Sequence, residues 1–264
     1  MRRFDGKTVI VTGASSGMGQ EISWRFADEG AHVVAVDVDG GGLAATQAKG
    51  AGGAIEPLVL DVSDPVVVQK AFGEVSERLG HIHVMVNCAG IAPMTGVLEI
   101  TPEQWQRVIG TNLSGVFYMS QAAARNMVDH GGGVIVNISS CNSFIVESPY
   151  ADYNASKAGV NLLTQSMAFE LGHRGVRCVA VAPGMTMTPM MDFTHDQETY
   201  RGYLERIPMR RPATPRDQAN VVLFLASDDA AYVTGITIRV DGGIMQGFWA
   251  DPRMAPPVPA FEKD

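Results

Sequence analysis

Short apolar runs, many of them rich in β-branched residues, recur along the chain, and most are apolar throughout instead of alternating with polar residues. This pattern is typical of parallel β-strands that are covered on both faces of a sheet. Seven strands are therefore predicted, at 8–11, 32–36, 58–60, 82–86, 134–138, 177–181 and 237–240.

Segments with the apolar spacing of amphipathic helices separate these runs, at 17–29, 64–79, 102–129, 153–172 and 215–227. Two of them open with Asp64-Pro65 and Thr101-Pro102, which are typical helix starts because a polar side chain caps the helix and proline tolerates its first turn. Alternating strands and helices predict an α/β fold. We expect a doubly wound, Rossmann-type, three-layer αβα architecture with a single, mostly parallel seven-stranded sheet.

The length of 264 residues suits one large domain, which we place at residues 1–243. The strand rhythm stops at about 189–214, where a Met-rich piece leads into a polar helix, and an insertion beside a sheet edge is commonly a lid. Residues 244–264 are Pro-rich and are predicted to form an extended C-terminal tail. We hypothesise that Phe248 and Trp249 of this tail reach toward an active site.

Charge and composition exclude several classes of partner. A net charge of −8 and a pI near 5.2, without a Lys/Arg block, argue against a nucleic-acid partner. The sequence contains neither a signal-peptide pattern nor an apolar run of membrane-spanning length, so no membrane association is predicted. Three scattered cysteines suit a reducing compartment, and we expect a cytoplasmic protein. The His81-x-His83 pair has no further ligand cluster beside it, so no metal site is predicted.

The first strand is followed directly by a glycine-rich turn. In TVIVTGASSGMGQEI, Gly13, Gly17 and Gly19 stand where a tight turn opens a helix, and glycines there let the backbone approach a pyrophosphate. Asp37 ends the second strand, where a carboxylate accepts hydrogen bonds from ribose hydroxyls and repels a 2′-phosphate. No Arg or Lys stands beside it in the sequence. NAD is therefore the predicted cofactor, in preference to NADP.

Seven short motifs follow one another along the chain: TGASSGMG at the glycine turn, LDV at 60–62, NCAG at 87–90, Asn112, NISS at 137–140, Tyr153-x-x-x-Lys157 and PGMTMT at 183–188. With these motifs the chain resembles the short-chain dehydrogenase/reductase family, from about Phe4 to Gly243. The motifs occur in family order, on the predicted strands and helices. The resemblance implies hydride transfer to or from a nicotinamide cofactor, and a homotetramer.

The resemblance also implies which residues contact the cofactor. These are Gly13, Ser16, Gly17, Met18, Gly19, Asp37, Asp61, Val62, Asn87, Ala89, Gly90, Tyr153, Lys157, Pro183, Gly184, Thr186 and Thr188. The chain departs from the family pattern twice. Cys88 replaces the usual Asn or Ala, and Thr186 stands where Val or Ile is common, which leaves a role for its side chain open.

The same resemblance implies four catalytic residues. Tyr153 would act as the acid/base, and Lys157, one helical turn away, would lower the pKa of the tyrosine hydroxyl by favouring the phenolate. Ser140, thirteen residues before Tyr153, would hydrogen-bond the substrate oxygen, and Asn112 would hold a water in the proton relay. The predicted activity is that of an NAD-dependent alcohol dehydrogenase/ketoreductase on a small-molecule secondary alcohol or ketone.

Tyr150 keeps alternatives open. Tyr150 and Lys157 have the spacing of enoyl-type reductases in the wider superfamily, which reduce carbon–carbon double bonds. The GxxxGxG turn and the Ser140 spacing favour Tyr153, and Tyr150 then lines the pocket. A non-catalytic NAD(H)-binding regulator on the same fold is the other alternative, although none of the four catalytic residues is missing.

Apolar residues after the strand ends predict the character of the substrate. If about half of them face the pocket, an apolar or cyclic substrate fits better than a free sugar. They are Met94, Phe144, Ile145, Met185, Met187, Met190, Met191 and Phe193.

Overall fold

The structure of the protein, a computed structural model, describes residues 2–50, 54–191, 197–247 and 257. Seven strands form one all-parallel sheet in the order β3-β2-β1-β4-β5-β6-β7, which confirms the predicted fold. The strands are β1 (Thr8–Thr12), β2 (His32–Asp37), β3 (Ile55–Val59), β4 (Val84–Asn87), β5 (Gly133–Ile138), β6 (Val176–Pro183) and β7 (Thr237–Val240). The order changes direction between β1 and β4, so a crevice opens there at the carboxyl ends of the strands.

Eight α-helices connect the described strands. They are α1 (Gly17–Asp28), α2 (Gly40–Lys49), α3 (Pro65–Leu79), α4 (Pro102–Ile109), α5 (Gly115–Asp129), α6 (Ala151–Leu171), α7 (Gln197–Arg206) and α8 (Pro215–Ala226). The helix predicted at 102–129 is divided by a π-helical turn at Gly110–Ser114. Helix α2 was missed because its GGG start has poor helix propensity, and the Asp39 side chain stabilises that start by accepting from the Gly41 N–H at 3.0 Å.

The two proline-marked helix starts have the predicted caps. Asp64 Oδ1 accepts from the backbone N–H of Val66 at 2.9 Å and of Val67 at 3.2 Å, and Thr101 Oγ1 accepts from Gln104 N–H at 3.2 Å. Each cap satisfies helix N–H groups that have no partner within the helix. The cap on α4 matters for function because α4 leads into the turn that carries Asn112.

Apolar cores lie on both faces of the sheet. Phe26 and Leu223, from α1 and α8, belong to the core on one face, and Phe72 and Met119, from α3 and α5, belong to the core on the other. Only the central strands are covered throughout. The edge strand β3 has alternating burial, and this explains why its predicted start at residue 58 lay three residues too late. None of the helices in the described part of the chain combines the length and apolar character that a membrane span needs.

The insertion after β6 packs as a small separate unit. A 3₁₀ turn at Pro189–Met191 follows the strand, and α7 then packs Leu204 and Ile207 against Met185. The backbone of Ala213 bonds to Met185 O at 2.9 Å, which returns the chain toward the sheet. The tail hypothesis concerns Phe248 and Trp249, which lie outside the described residues, and the division of the chain at residue 243 stays a prediction.

Candidate active site

Two adjoining cavities lie at the carboxyl ends of the strands. The first, of about 480 Å³, extends from the turn after β1 to Asp37 and Asp61, and we call it the glycine-turn cavity. The second, of about 540 Å³, lies between β5, α6 and α7, and we call it the Tyr153 cavity. Cys88, Gly90 and Thr188 line both cavities, so the two are continuous.

Most of the residues predicted from the sequence meet at these cavities. The glycine-turn cavity is lined by Gly13, Ser16, Gly17, Met18, Gly19, Asp37, Asp61, Val62, Ala89, Gly90 and Thr188. The Tyr153 cavity is lined by Ser140, Tyr153, Lys157, Pro183, Gly184 and Thr186. Asn87 and Asn112 are not among the lining residues within the described chain, and both act from behind the cavity walls.

The glycine turn brings backbone groups closer together than side chains would permit. Gly13 has a φ of +68° and Gly17 a φ of +54°, both in the left-handed region that favours glycine. A Cβ on Gly19 would lie 2.1 Å from the carbonyl oxygen of Gly13. The start of α1 therefore packs directly on the glycine turn, and Ser16, Gly17 and Met18 at this helix N-terminus line the cavity, where an anionic phosphate is favoured.

Asp37 is fixed at the end of β2 by two backbone groups. Its Oδ2 accepts from Ser15 N–H and its Oδ1 from Asp39 N–H, each at 3.1 Å. Each carboxylate oxygen keeps a lone pair for a further donor. The neighbouring Val38 is exposed and uncharged, but Arg107 of α4 also lines this cavity, a cation that the sequence analysis did not anticipate.

Tyr153 and Lys157 lie one turn apart on α6, as their spacing predicted. Lys157 Nζ is 5.6 Å from the centre of the Tyr153 ring and donates to the carbonyl oxygen of Ile138 at 2.7 Å. Burial raises the pKa of Tyr153 to about 12 and lowers the pKa of Lys157 to about 8. Burial is the largest cause of the high pKa of Tyr153, and the lowering by Lys157 expected for catalysis stays a prediction.

Ser140 and Ser139 have different partners, as expected for neighbours that point to opposite sides of a strand. Ser140 Oγ accepts from Asn142 N–H at 3.1 Å, and its hydrogen bond with the Tyr153 side chain acts to lower the pKa of that tyrosine. Ser139 Oγ instead donates to the backbone oxygen of Lys157 at 3.2 Å. Ser140 is therefore the serine paired with Tyr153.

Asn112 occupies the π-helical turn and is completely buried. Its Oδ1 accepts from Ile91 N–H and its Nδ2 donates to Ile91 O, both at 2.9 Å, which fixes the strand-end loop that contains Gly90. A Cβ on Gly90 would lie 3.4 Å from Asn112 Oδ1 and 3.6 Å from Lys157 Nζ. Gly90 therefore lies between the Asn112 side chain and the Lys157 ammonium, in contact distance of both.

Asn87 belongs to a buried polar network beneath the cavities. Its Nδ2 donates to Ser120 Oγ and to Asn137 Oδ1, both at 2.8 Å, and Asn137 in turn donates to Thr164 at 2.9 Å. This network joins β4 and β5 to helices on one face. Asn87 Oδ1 is buried without a hydrogen-bond partner among the described residues, and the cofactor contact predicted for Asn87 stays a prediction.

The two departures from the family pattern are also placed. Thr186 Oγ1 donates to Gly184 O and accepts from Gln218 Nε2, each at 3.1 Å, so its side chain serves the fold. Burial raises the pKa of Cys88 to about 12 and that of Cys141 to about 12, so both remain thiols at neutral pH. A thiol is a poor nucleophile, in agreement with the structural role expected for Cys141.

Two residues that meet in the Tyr153 cavity, Glu147 and Tyr203, were not identified from the sequence. Glu147, in the loop after β5, accepts a hydrogen bond from the Tyr203 hydroxyl of α7. Tyr150, expected as a pocket-lining residue, lines the same cavity and packs edge-on against Tyr153 with ring centres 6.2 Å apart. No local pattern marks Glu147 or Tyr203, because they meet only through the packing of α7 across the cavity.

The apolar residues proposed for the pocket divide into two groups. Ile145, Met185, Met190 and Met191 line the Tyr153 cavity. Met94 and Phe144 are exposed, and Met187 is not part of the described wall. Phe193 lies outside the described residues. In the described part of the chain, no group of three or more His, Cys, Asp or Glu side chains is arranged to hold a metal ion.

Comparison with known proteins adds the wider context of this site. A family model described as "Enoyl-(Acyl carrier protein) reductase" matches residues 13–245. The chain is 39% identical to the 3-oxoacyl-[acyl-carrier-protein] reductase FabG of Thermotoga maritima, over 92% of this chain and 99% of that protein. It is 41% identical to 3beta-hydroxysteroid dehydrogenase 1 of Eggerthella lenta, over 90% of this chain and 94% of that protein.

A solved structure resembles the whole described fold. A protein of Beutenbergia cavernae, provisionally named an NAD(P)-dependent gluconate 5-dehydrogenase and crystallised with NADP at low occupancy, superposes with a TM-score of 0.88. It is 36% identical, and the match covers 92% of this chain and 98% of the other. The relatives thus share this sheet and differ in their named substrates.

Proposed function

Because the chain belongs to the short-chain dehydrogenase/reductase family of oxidoreductases, we propose that it transfers a hydride between NAD and a secondary alcohol or ketone, with Tyr153 as the acid/base. The observation that carries the proposal is the meeting of Ser140, Tyr153 and Lys157 in one cavity that is continuous with the glycine turn. This reaction needs an acid/base, a hydrogen-bond donor to the substrate oxygen, and a helix N-terminus at which the cofactor phosphates can bind.

The residues divide the work as follows. Ser140 donates to the substrate oxygen and polarises the C–O bond. Tyr153 gives a proton to that oxygen in reduction, or removes it in oxidation. Lys157 stabilises the phenolate form, and the Asn112 turn leads the proton relay away from the lysine. Bound NAD supplies the acceptor or donor of the hydride.

The described residues fit a dinucleotide with two ribose hydroxyls. Gly17 and Gly19 let the turn pack closely at the start of α1 beside the cavity, where a pyrophosphate would bind, and the fixed carboxylate of Asp37 can accept hydrogen bonds from hydroxyls. A 2′-phosphate beside that carboxylate would bring like charges together. This favours NAD over NADP, with Arg107 as the cation that a test must address.

The wall of the Tyr153 cavity favours a substrate with an apolar or cyclic body. Met185, Met190 and Met191 are flexible apolar side chains that adapt to irregular ligands. A hydroxysteroid, named for one relative, has such a body. We also propose that the protein is cytoplasmic and that it forms a homotetramer. The homotetramer is supported by Phe169 and Leu162 of α6, whose exposed fractions of 91% and 65% are unusual for large apolar side chains on a monomer.

The test is NADH formation from NAD, and separately NADPH formation from NADP, over cyclic, aryl, steroidal and polyol secondary alcohols. Tyr153→Phe should lose turnover by about 10²–10⁴-fold, the usual contribution of acid/base catalysis, while it keeps NADH binding. Tyr150→Phe is the matched control and should keep turnover within a few-fold. An inactive Tyr150→Phe variant together with an active Tyr153→Phe variant would favour enoyl-type chemistry. A wild-type protein that binds NADH but turns over no substrate would favour a non-catalytic regulator.

A further inference from the structure

Glu147 places a carboxylate in the wall of the Tyr153 cavity, where hydride transfer itself needs none. The residue is half-buried and lines the same cavity as Ser140 and Tyr153. Its backbone oxygen accepts from Asn154 Nδ2 at 2.9 Å, and Asn154 follows Tyr153 on α6. The loop that carries the carboxylate is therefore tied to the helix that carries the acid/base.

The Glu147 side chain is also held from the opposite wall. The Tyr203 hydroxyl of α7 donates a hydrogen bond to Glu147 Oε1 across the cavity. A hydrogen bond to a charged acceptor restrains both partners more strongly than one between neutral groups. The backbone of Glu147 is thus held by α6, and its carboxylate is held by α7.

The charge of Glu147 acts on the reacting region. The carboxylate contributes to raising the pKa of Tyr153 and of Tyr150, although burial is the larger cause for both. A negative charge that disfavours a phenolate also disfavours a substrate anion in the same space.

Other charged groups surround Glu147 from each packed element. Lys157 lies over the Tyr153 ring and is bonded to Ile138, and Arg206 of α7 lines the cavity at an exposed position. Arg239 of β7 lies over the Phe144 ring at 5.8 Å, and Asp241 is bonded to the backbone of Gly243. Solvent screens the exposed Arg206 more than the half-buried Glu147, so among the charged groups near Glu147 the buried Lys157 is the main opposing charge.

We propose that Glu147 is a specificity-determining residue, which selects neutral secondary alcohols and ketones over substrates that carry a carboxylate near the reacting carbon. Tyr203 is the positioning residue that holds the Glu147 carboxylate in the cavity wall. The proposal rests on the proposed function, and it narrows the substrate class of the same site.

The test measures kcat/KM with NADH for three neutral ketones and for their carboxylate counterparts. The pairs are methyl acetoacetate and acetoacetate, 4-methylcyclohexanone and 4-oxocyclohexanecarboxylate, and 4-methylacetophenone and 4-acetylbenzoate. The wild type should prefer the neutral member of each pair that it turns over. Glu147→Gln, which keeps an oxygen for the Tyr203 hydroxyl but removes the charge, should improve the relative kcat/KM of the acid by about tenfold, the effect of one nearby charge.

Three further measurements separate charge from structure. Tyr203→Phe keeps the charge but releases the carboxylate from α7, so it should raise the relative kcat/KM of the acids by less than Glu147→Gln does. Glu205→Gln, an exposed acid on the same helix α7, should leave the acid-to-neutral ratio unchanged. The alkaline limb of the pH profile should move to lower pH in Glu147→Gln, because a charge that raises the pKa of Tyr153 is gone.

Each outcome decides between the two proposals. A wild type that prefers the acids, or a ratio that does not respond to Glu147→Gln while Tyr153→Phe is inactive, overturns the role of Glu147 and leaves the proposed reaction intact. An active Tyr153→Phe, or a wild type that turns over none of the six ketones although it binds NADH, overturns the proposed reaction itself over this substrate range.

Discussion

The walls of the two cavities at the strand ends differ in composition, because one wall is mainly backbone and the other is mainly long side chains. The glycine-turn cavity is formed by backbone at Gly13, Gly17 and Gly19 and by the fixed carboxylate of Asp37. The Tyr153 cavity is walled by long side chains, among them Met190 and Tyr203, which come from the insertion after β6. The first holds its shape because backbone atoms cannot move apart without breaking the sheet and α1. The second can change its lining with little effect on the core.

This difference separates what is shared from what varies among the relatives. The relatives' names give a carrier-bound oxoacyl group and a hydroxysteroid as substrates on one fold, so the substrate must be selected by the wall that the fold constrains least. The following substitutions break or sharpen this comparison.

The largest effect is expected at the chemical centre. Ser140→Ala should lower kcat by about 10²–10³-fold, as the loss of a donor to a developing oxyanion does, with little change in the Kd for NADH. Ser139→Ala is the matched control, because its hydroxyl bonds the backbone of Lys157 and should affect thermal stability more than turnover. The comparison is made by steady-state kinetics and NADH fluorescence, and equal losses in the two variants would contradict the assignment.

A methyl group in the glycine turn should damage the backbone-built cavity. Gly19→Ala would place a Cβ 2.1 Å from Gly13 O, so the turn must shift. We expect a loss of about 1–3 kcal/mol in the free energy of unfolding, the usual cost of overpacking, together with weaker NADH binding.

Urea unfolding of Gly73→Ala provides the control for that variant. Gly73 lies within α3, and a Cβ there meets no atom within 4 Å. The substitution should stabilise the protein by about 0.5–1 kcal/mol, because alanine is the better helix former. A Gly19→Ala protein as stable as wild type and with unchanged NADH affinity would show that the turn tolerates a side chain.

A smaller effect is expected at the ribose end of the glycine-turn cavity. Asp37→Ser should weaken NAD binding by about tenfold, in the range of a lost hydrogen bond to a charged group, and should improve the ratio of NADP to NAD turnover. Arg107→Met, alone and combined with Asp37→Ser, tests whether Arg107 then supports a 2′-phosphate. Selectivity that stays unchanged in Asp37→Ser would remove the basis for preferring NAD.

The smallest effect lies far from both cavities, at the amino ends of the strands. His83 Nδ1 accepts from Thr8 N–H at 3.0 Å, and burial, with His81 and Lys7 nearby, lowers the pKa of His83 to about 4. The neutral form therefore stabilises the fold above the unfolded pKa near 6.5, and this contribution is lost as pH falls from 6.5 toward 4.

Thermal melts across that pH range measure the contribution of His83. The Tm of the wild type should fall with pH more steeply than the Tm of His83→Gln, whose side-chain oxygen can still accept from Thr8. If the Tm of both proteins falls with pH at the same rate, the acid sensitivity of the fold comes from groups other than His83. Turnover at neutral pH should be similar in both proteins, because His83 lies at the opposite end of the sheet.

By itself, the sequence determined the features that repeat over short distances. The central strands followed from continuous apolar runs, the cap at Thr101 from Thr-Pro, and the shared face of Tyr153 and Lys157 from helical spacing. These features depend on contacts between residues close in the chain. A period of two or of 3.6 residues records such contacts in the order of the amino acids.

The tertiary structure alone decided what distant segments do to one another. It placed Asn87 in a buried network with Ser120 and Asn137, brought Glu147 together with Tyr203, and raised the pKa of Tyr153 by burial. Desolvation and long-range hydrogen bonds depend on which segments pack together, and that packing is a property of the folded chain that no local spacing records.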